Sequence, residues 1–194
     1  MKQINFLMAL VLALIGFGFT VEGTWIIDAE SQLTIQGSTN VNEFTCKIEY
    51  CTGTDTLQYV ENNSTRELRF TRSSMIVPIR SFDCGSKPIS RDFWKTLKSE
   101  TYPNLEINFV SLQNLYFKNN SDVKGIVEIT LAGVTTRYTV CYVAHIKDNG
   151  TVLLKGMQAV NFADFNLEAP RKMRGLIKVK EALNVEFNLI LKEI

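Results

Sequence analysis

Apolar and polar residues alternate along most of the chain beyond residue 24. The last segment shows the pattern most clearly, because Val185, Phe187 and Leu189 fall on one face while Glu186 and Asn188 fall on the other. Alternation with a period of two is typical of β-strands that bury one face. The segments that repeat it are 43–50, 105–109, 127–131, 135–148 and 184–194.

Turn signals such as Asp148-Asn149-Gly150 separate these segments, and about eight strands fit between Trp25 and Ile194. Sequential strands with short links predict an antiparallel, up-and-down sheet. Eight such strands in one domain favour an all-β fold closed into a single barrel, since closure removes exposed strand edges. A sandwich of two sheets is the alternative.

A short helix is predicted over residues 90–99, inside a chain that otherwise predicts strands. Ser90 is a suitable N-cap, and Phe93 and Leu97 lie four residues apart, which places them on one face. A second irregular segment runs from Asp164 to Met173, where Pro170 interrupts strand pairing. We expect both segments to cover ends of the barrel.

The first 23 residues have the layout of a secretory signal peptide, with Lys2, an apolar run of about 14 residues, and Val21 and Gly23 before the cut. Residues 24–194 then form the mature domain, which we expect in the periplasm or outside the cell. An uncleaved N-terminal anchor is the alternative. The net charge of +1 and the absence of basic–aromatic interleaving do not suggest nucleic acid as a partner, and no stable membrane insertion is expected after cleavage.

Four cysteines in an exported chain suggest disulfides, which allow three pairings. If the third strand runs antiparallel to the second, Cys84 returns to the barrel end that holds Cys46. We therefore favour Cys46–Cys84 and leave Cys51 and Cys141 paired or free. Zinc is disfavoured, because the chain has no Cys-x-x-Cys motif and only one histidine.

The sequence offers little catalytic chemistry, and no enzyme, metal site or cofactor is expected. His145 stands alone on an outward face, and no nucleophile, metalloprotease or phosphate-loop motif occurs. A pocket that joined His145 to Asp92 and Asp164 would favour an enzyme. The inward faces are apolar, which fits either a filled core or a cavity lined for one ligand.

Several motifs, in order along the chain, resemble the YceI-like, polyisoprenoid-binding domain family. They are "WIIDAESQLTIQGSTNVNEFTCKIE", "VPIRSFDCGSKPISRDFWKTLKSETYPNLEINF", "GIVEITLAGVTTRYTV", "NFADFNLEAP" and "MRGLIKVKEALNVEFNLIL". The cysteine-containing forms resemble the variant of Bacteroidetes-type bacteria. The segment 52–67 resembles an insertion between the second and third strands.

The resemblance implies a lipocalin-like barrel whose apolar tunnel holds an isoprenoid or another lipid-like molecule, with the helix closing one end. The residues expected to line the tunnel are Phe44, Ile48, Phe70, Phe93, Trp94, Leu97, Leu105, Ile107, Phe109, Val127, Ile129, Leu131, Tyr138, Val140, Tyr142, Phe162, Phe165, Met173 and Phe187. On this reading the protein sequesters or carries a long apolar ligand. The alternative is a filled barrel that acts as an extracellular interaction or stress-response module.

Overall fold

The computed structural model describes residues 20–48, 55–62, 64–113 and 121–194. Its strands are β1 (Thr20–Ile27), β2 (Gln32–Ser38), β3 (Glu43–Ile48), β4 (Thr56–Asn62), β5 (Glu67–Arg72), β6 (Ser74–Pro78), β7 (Asn104–Gln113), β8 (Ser121–Leu131), β9 (Val134–Ile146), β10 (Val152–Asn161), β11 (Arg171–Lys172), β12 (Ile177–Lys178) and β13 (Ala182–Glu193). Helix α1 spans Lys87–Thr96, and single 3-10 turns occupy Ile79–Ser81, Phe162–Phe165 and Met173–Gly175.

Eight strands close into one antiparallel barrel. Their order around the ring is β1-β4-β5-β7-β8-β9-β10-β13, and β13 pairs back with β1. Every neighbouring pair in the ring is antiparallel. The predicted barrel is therefore confirmed, and the alternative of a two-sheet sandwich is wrong.

Two of the remaining strands, β2 and β6, each pair with the same ring strand as the strand just before them, after a kink in the chain. β1 and β2 both pair with β13, where Ile27 lies opposite Leu191 and Gln32 lies opposite Asn188. The chain between them bulges, and the buried Ser31 hydroxyl accepts a hydrogen bond from the Ile190 amide at 2.9 Å. β5 and β6 share β7 in the same way. The segment 52–67, expected as an insertion, supplies β4 and so belongs to the ring.

The alternating pattern of the sequence decides what lies inside the barrel. In β13, exposed or half-buried residues alternate with buried ones along nearly the whole strand. Leu33, Val127 and Phe187 are completely buried on three different strands. The apolar faces therefore meet in one core inside the ring, as the period of two predicts.

Helix α1 begins earlier than the sequence suggests. Its N-cap is Ser86, whose hydroxyl accepts a hydrogen bond from the Ile89 amide, and Pro88 occupies the first turn, where a missing N–H costs nothing. The predicted cap, Ser90, lies inside the helix. Its buried hydroxyl instead accepts a hydrogen bond from the Cys84 amide at 3.0 Å. The segment before the helix therefore uses, as a hydrogen-bond acceptor, the serine that local signals assign to the cap.

The structure contains the favoured disulfide, Cys46–Cys84. It joins β3 to the segment just before α1, beside two backbone hydrogen bonds between Lys47 and Asp83 at 2.8 and 2.9 Å. At this level β3 and β6 share no ladder, so the disulfide and this bridge hold the seam between them. Cys141 is a free, exposed thiol, and Cys51 lies outside the described residues.

Most of the predicted signal peptide, residues 1–19, also lies outside the described residues. β1 begins at Thr20, four residues before the predicted cut, and Gly23 lies against the Tyr59 ring, where a Cβ would be 2.3 Å from the hydroxyl. The signal peptide and its cleavage stay predictions. Among the described residues, no helix is long and apolar enough to cross a membrane.

Candidate ligand-binding cavity

An apolar cavity of about 40 Å³ lies inside the barrel at the end that carries α1, here called the helix end. Five strands and two covering segments form its wall, and every lining residue except Asn161 is apolar. The lining residues are Ile35, Phe93, Leu97, Leu105, Ile107, Ile129, Leu131, Val160, Asn161, Phe162, Phe165, Leu167, Leu183 and Val185.

Helix α1 is the first cover. Phe93 and Leu97 are buried and face the cavity, while the indole N–H of Trp94 donates a hydrogen bond to the Phe82 carbonyl at 3.1 Å. The ring of Phe82 meets that of Phe93 edge to face, with centroids 5.5 Å apart. The disulfide at Cys84 lies two residues before the N-cap. The cover is therefore tied to the barrel covalently at its N-terminal end.

The second cover is the turn at residues 162–167. Asn161 and Asp164 form a reciprocal capping box around the 3-10 turn, and Asn166 adopts a left-handed conformation at its end. This tight geometry turns Phe162, Phe165 and Leu167 inward, where all three are buried. The turn supplies apolar wall where the strands leave a gap.

That gap lies between β9 and β10. The two strands pair only as far as Met157 and Cys141, although β9 stays paired with β8 down to Val134. Here the Tyr138 hydroxyl donates to Asp164 Oδ2 at 2.8 Å, and the Thr136 hydroxyl donates to the Asp164 carbonyl at 2.9 Å. Burial, followed by the hydrogen bond to Asp164, raises the pKa of Tyr138, so the phenol stays protonated and donates. Two side-chain hydrogen bonds therefore replace the missing ladder.

A surface groove of about 210 Å³ adjoins the cavity. It runs between α1 and the β11–β12 hairpin, and Phe93 and Phe162 line both spaces. An ion pair between Lys172 Nζ and Asp92 Oδ1, 2.6 Å long, lies at the groove. The two phenylalanine rings therefore form the partition between the groove and the barrel interior.

The opposite end of the barrel, here called the aromatic end, is filled by side chains. Trp25, Tyr59, Phe70 and Phe109 form a chain of ring contacts, with the Trp25 and Tyr59 centroids 4.6 Å apart. Between the two ends lies Tyr142, whose ring fills space left by two glycines. These glycines are Gly125 and Gly156, where a Cβ would lie 2.6 and 2.5 Å from the ring.

The residues predicted to line a tunnel are divided between these regions. Eight line the cavity: Phe93, Leu97, Leu105, Ile107, Ile129, Leu131, Phe162 and Phe165. Seven others belong to the core away from the cavity: Ile48, Phe70, Phe109, Val127, Val140, Tyr142 and Phe187. Phe44 lines the groove. Tyr138 packs on Phe165, with centroids 6.3 Å apart, and supports the turn. The binding role of all these residues stays a prediction.

Two of the predicted lining residues lie away from the cavity. Met173 is 67% exposed, because the hairpin carries it away from the barrel. Trp94 does not line the cavity, because its indole turns toward the Phe82 carbonyl. The sequence reasoning also missed Ile35, Val160, Leu167, Leu183 and Val185. Four of these five lie on strands, where their alternation was visible but their level along the barrel was not.

The polar groups named in the sequence do not meet in one place. His145 lies on β9 opposite Leu153, toward the aromatic end, whereas Asp92 pairs with Lys172 and Asp164 supports the turn. Among the described residues, no group of three or more His, Cys, Asp or Glu side chains could hold a metal ion. The condition set for an enzyme, one pocket with His145, Asp92 and Asp164, is not met.

Comparison with solved structures shows which fold this barrel has. A polyisoprenoid-binding domain from Saccharophagus degradans, implicated in plant cell wall breakdown, superposes with a TM-score of 0.63 at 14% identity, covering 88% of this chain and 98% of its own. BcnA of Burkholderia cenocepacia gives 0.61 at 15% identity, with 84% and 98% covered. The YceI protein of Campylobacter jejuni gives 0.52 at 12% identity, with 71% and 80% covered.

No family model matches the sequence, and no curated protein matches it significantly. The likeness to the solved structures therefore concerns the fold. The chain has a YceI-like, lipocalin-like barrel fold.

Proposed function

We propose that this protein is a non-catalytic binding protein that encloses an apolar chain, such as an isoprenoid, at the helix end of its barrel. The observation that carries the proposal is the cavity, which is apolar except for Asn161. Two segments that are not barrel strands, α1 and the 162–167 turn, cover it. A solved protein of the same fold is described as a polyisoprenoid-binding domain, which supports this ligand class.

The ligand-bound protein must be more open than this structure. The cavity measures about 40 Å³, close to the ~30 Å³ share of one liquid water molecule, whereas pockets for drug-sized ligands measure ~300–1,000 Å³. The adjoining groove offers about 210 Å³ on the other side of Phe93 and Phe162. A ligand would join the two spaces by displacing this partition.

We expect the turn at 162–167 to move and α1 to stay in place. The helix is held by the disulfide at Cys84 and by the Trp94 hydrogen bond. The turn lies in the gap between β9 and β10, where the Tyr138 and Thr136 side chains and one backbone hydrogen bond, from the Phe162 amide to the Glu181 carbonyl at 3.2 Å, hold it. Opening the turn breaks no pairing between ring strands.

Binding would be driven by burial of the chain. Each methylene group removed from water contributes about 0.8 kcal/mol, so a long chain binds tightly without many polar contacts. Part of that free energy would offset the cost of opening the turn. Affinity should therefore rise with chain length until the space joining groove and cavity is filled.

A filled barrel that serves as an interaction module is the second candidate. The small volume of the cavity and the aromatic side chains that fill the opposite end favour it. This reading requires no opening of the turn and no ligand. The two candidates differ in whether an apolar probe enters the barrel.

The proposal includes export from the cytoplasm, on the basis of the signal-like residues 1–23. The disulfide between Cys46 and Cys84 is consistent with an oxidising compartment. N-terminal sequencing of the protein from a periplasmic or secreted fraction tests this part. A chain that still starts at Met1 there would contradict the predicted cleavage.

The test of ligand binding is a titration with a fluorescent polyprenyl alcohol, using two valine variants. Val160→Phe places a ring in the cavity, whereas Val143→Phe places one on the outer face of β9. We expect the parent and Val143→Phe to bind the probe alike, and Val160→Phe to bind more than tenfold more weakly with an unchanged fold. No binding by the parent would favour the filled barrel. Mass spectrometry of organic extracts from the native protein would identify the ligand.

A further inference from the structure

The hairpin beside the groove carries an unusual concentration of positive charge. Residues 171–180, "RKMRGLIKVK", contain five lysines and arginines and no acid, leaving sixteen basic and twenty acidic residues elsewhere in a chain of net charge +1. Lys172 pairs with Asp92. Among the described residues, the other four make no ion pair and are exposed: Arg171, Arg174, Lys178 and Lys180.

The same surface exposes large apolar side chains. Met173 and Leu176, at the tip of the hairpin, are 67% and 72% exposed, and Val41 of the neighbouring loop is 65% exposed. Asn40 holds that loop against the hairpin through hydrogen bonds to Leu176 and Lys178, each 2.9 Å long. Folding thus brings three exposed apolar side chains close to four free cations.

The backbone at the tip keeps these side chains outward. Met173, Arg174 and Gly175 all have positive φ, at 51°, 56° and 89°. Such angles are strained for residues with a Cβ, and strained positions concentrate where a protein makes functional contacts. The tip therefore holds Met173 in solvent in a strained conformation. No burial of the side chain against the protein offsets the cost of that strain.

We propose that the basic hairpin patch, defined as Val41, Arg171, Met173, Arg174, Leu176, Lys178 and Lys180, docks on the surface of an anionic lipid bilayer. Exposed apolar side chains ringed by cations match the chemistry of such a surface, since the apolar tips enter the boundary between headgroups and acyl chains while the cations meet anionic headgroups. An acidic protein or a nucleic acid would satisfy the charges but offer no apolar layer for Met173 and Leu176.

The position of the patch would bring the groove next to the membrane. The hairpin forms one wall of the groove through Lys172, Ile177 and Val179, and the groove leads to the Phe93–Phe162 partition. A protein docked by the hairpin tip would hold the groove close to the bilayer. Docking itself does not depend on the proposed ligand, so the two proposals can fail separately.

The experiment is co-sedimentation of the protein with vesicles, without added ligand. We expect binding to vesicles that contain phosphatidylglycerol, little binding to phosphatidylcholine alone, and weakening as salt is raised. Each positive charge near an anionic surface strengthens binding about fivefold. Replacing Arg171, Arg174, Lys178 and Lys180 with Gln should therefore weaken binding more than a hundredfold. The matched control replaces four exposed basic residues elsewhere on the barrel, Arg72, Lys124, Lys147 and Lys155, with Gln and should retain most of the binding.

Insertion of the tip is tested with Leu176→Trp, whose fluorescence should shift to the blue on phosphatidylglycerol vesicles, with Val143→Trp as the control that should not shift. Equal loss of binding in the two charge variants would overturn the proposal. Failure of the parent to bind phosphatidylglycerol vesicles would also overturn it, as would tighter binding to DNA or to an acidic protein without a Leu176→Trp shift. Folding of every variant is checked by circular dichroism and melting temperature.

Discussion

The two ends of one barrel differ in what occupies their interior. At the aromatic end, Trp25, Tyr59, Phe70 and Phe109 place rings in contact. At the helix end, aliphatic side chains from five strands leave a cavity of about 40 Å³ that only α1 and the 162–167 turn cover. The strands alternate in the same way at both ends, so the pattern alone does not decide between core and cavity. What decides between core and cavity is the size of the inward side chains, and whether the end is closed by strand residues or by separate segments such as α1 and the turn.

The largest effects should come from truncating the filled end. Trp25 is buried against two other rings, so Trp25→Ala should lower the free energy of unfolding by about 3–5 kcal/mol. Phe93→Ala should cost less, because Phe93 borders the cavity and the 162–167 turn beside it can settle into the space. Urea unfolding measures both variants. An equal cost at the two sites would contradict the distinction between a rigid end and an adaptable one.

The disulfide at the seam should rank next. Replacing Cys46 and Cys84 together with Ala removes a link across 38 residues, and the expected cost is about 2–4 kcal/mol. Because the link anchors α1, the double variant should also bind an apolar probe with altered affinity, whereas Trp25→Ala should not. A variant as stable as the parent would show that the Lys47–Asp83 bridge suffices to hold the seam.

The sequence predicts those parts of this contrast that depend on neighbouring residues of one strand. It does not predict those that depend on contacts between distant parts of the chain. The alternation of Val185, Phe187 and Leu189 predicts which face is inside, because it reflects only the geometry of a strand. The ring of eight strands also followed from the sequence, since short links between alternating segments leave few topologies. What the pattern lacks is the level of each residue along the barrel, and so Tyr142 and Ile129 were assigned to the same tunnel.

The errors arose where a side chain bonds to a backbone group outside its own helix. Ser90 has the local features of an N-cap, but the Cys84 amide bonds to it inside the helix. Trp94 was expected to line the tunnel, but its indole N–H donates a hydrogen bond to the Phe82 carbonyl. The sequence of residues 171–180 is visibly basic. The structure adds that Met173 and Leu176 project from the same surface as these basic residues.

Tyr142, between the two ends, should give a gain in stability. Its hydroxyl is fully buried and has no hydrogen-bond partner among the described residues, and burial raises its pKa. An unsatisfied buried polar group costs about 1–3 kcal/mol, so Tyr142→Phe should raise the free energy of unfolding by roughly that amount. A loss of stability would instead show that a water molecule or a ligand bonds to the hydroxyl, and that the filled region is reached from the cavity.

The hydrogen bonds of the turn should have a smaller effect on stability and a larger one on access. Tyr138→Phe removes the hydrogen bond to Asp164 and should cost about 1 kcal/mol. Association of an apolar probe should become faster, since the turn then opens more readily. Thr130→Val is a control, because its hydroxyl bonds only to Thr135 at the exposed end of the β8–β9 hairpin. Unchanged association in Tyr138→Phe would exclude the turn as the moving cover.

The smallest expected effect concerns the kink between β1 and β2, where Asp28 meets Lys192 near the aromatic end. The hydrogen bond from Lys192, with a second from the Glu30 amide, holds the pKa of Asp28 below its ordinary value. A lowered folded-state pKa means that this contribution is fully present above the unfolded value of ~3.9 and is lost as the pH falls through the folded value. Because the pair is exposed to solvent, Asp28→Asn should cost only about 0.2–1 kcal/mol at pH 6, and the difference from the parent should vanish in strong acid. Urea unfolding at both pH values measures it, with the exposed Asp122→Asn as the control. A difference that persists in acid would mean that the Asp28 side chain stabilises the kink by a route other than the ion pair.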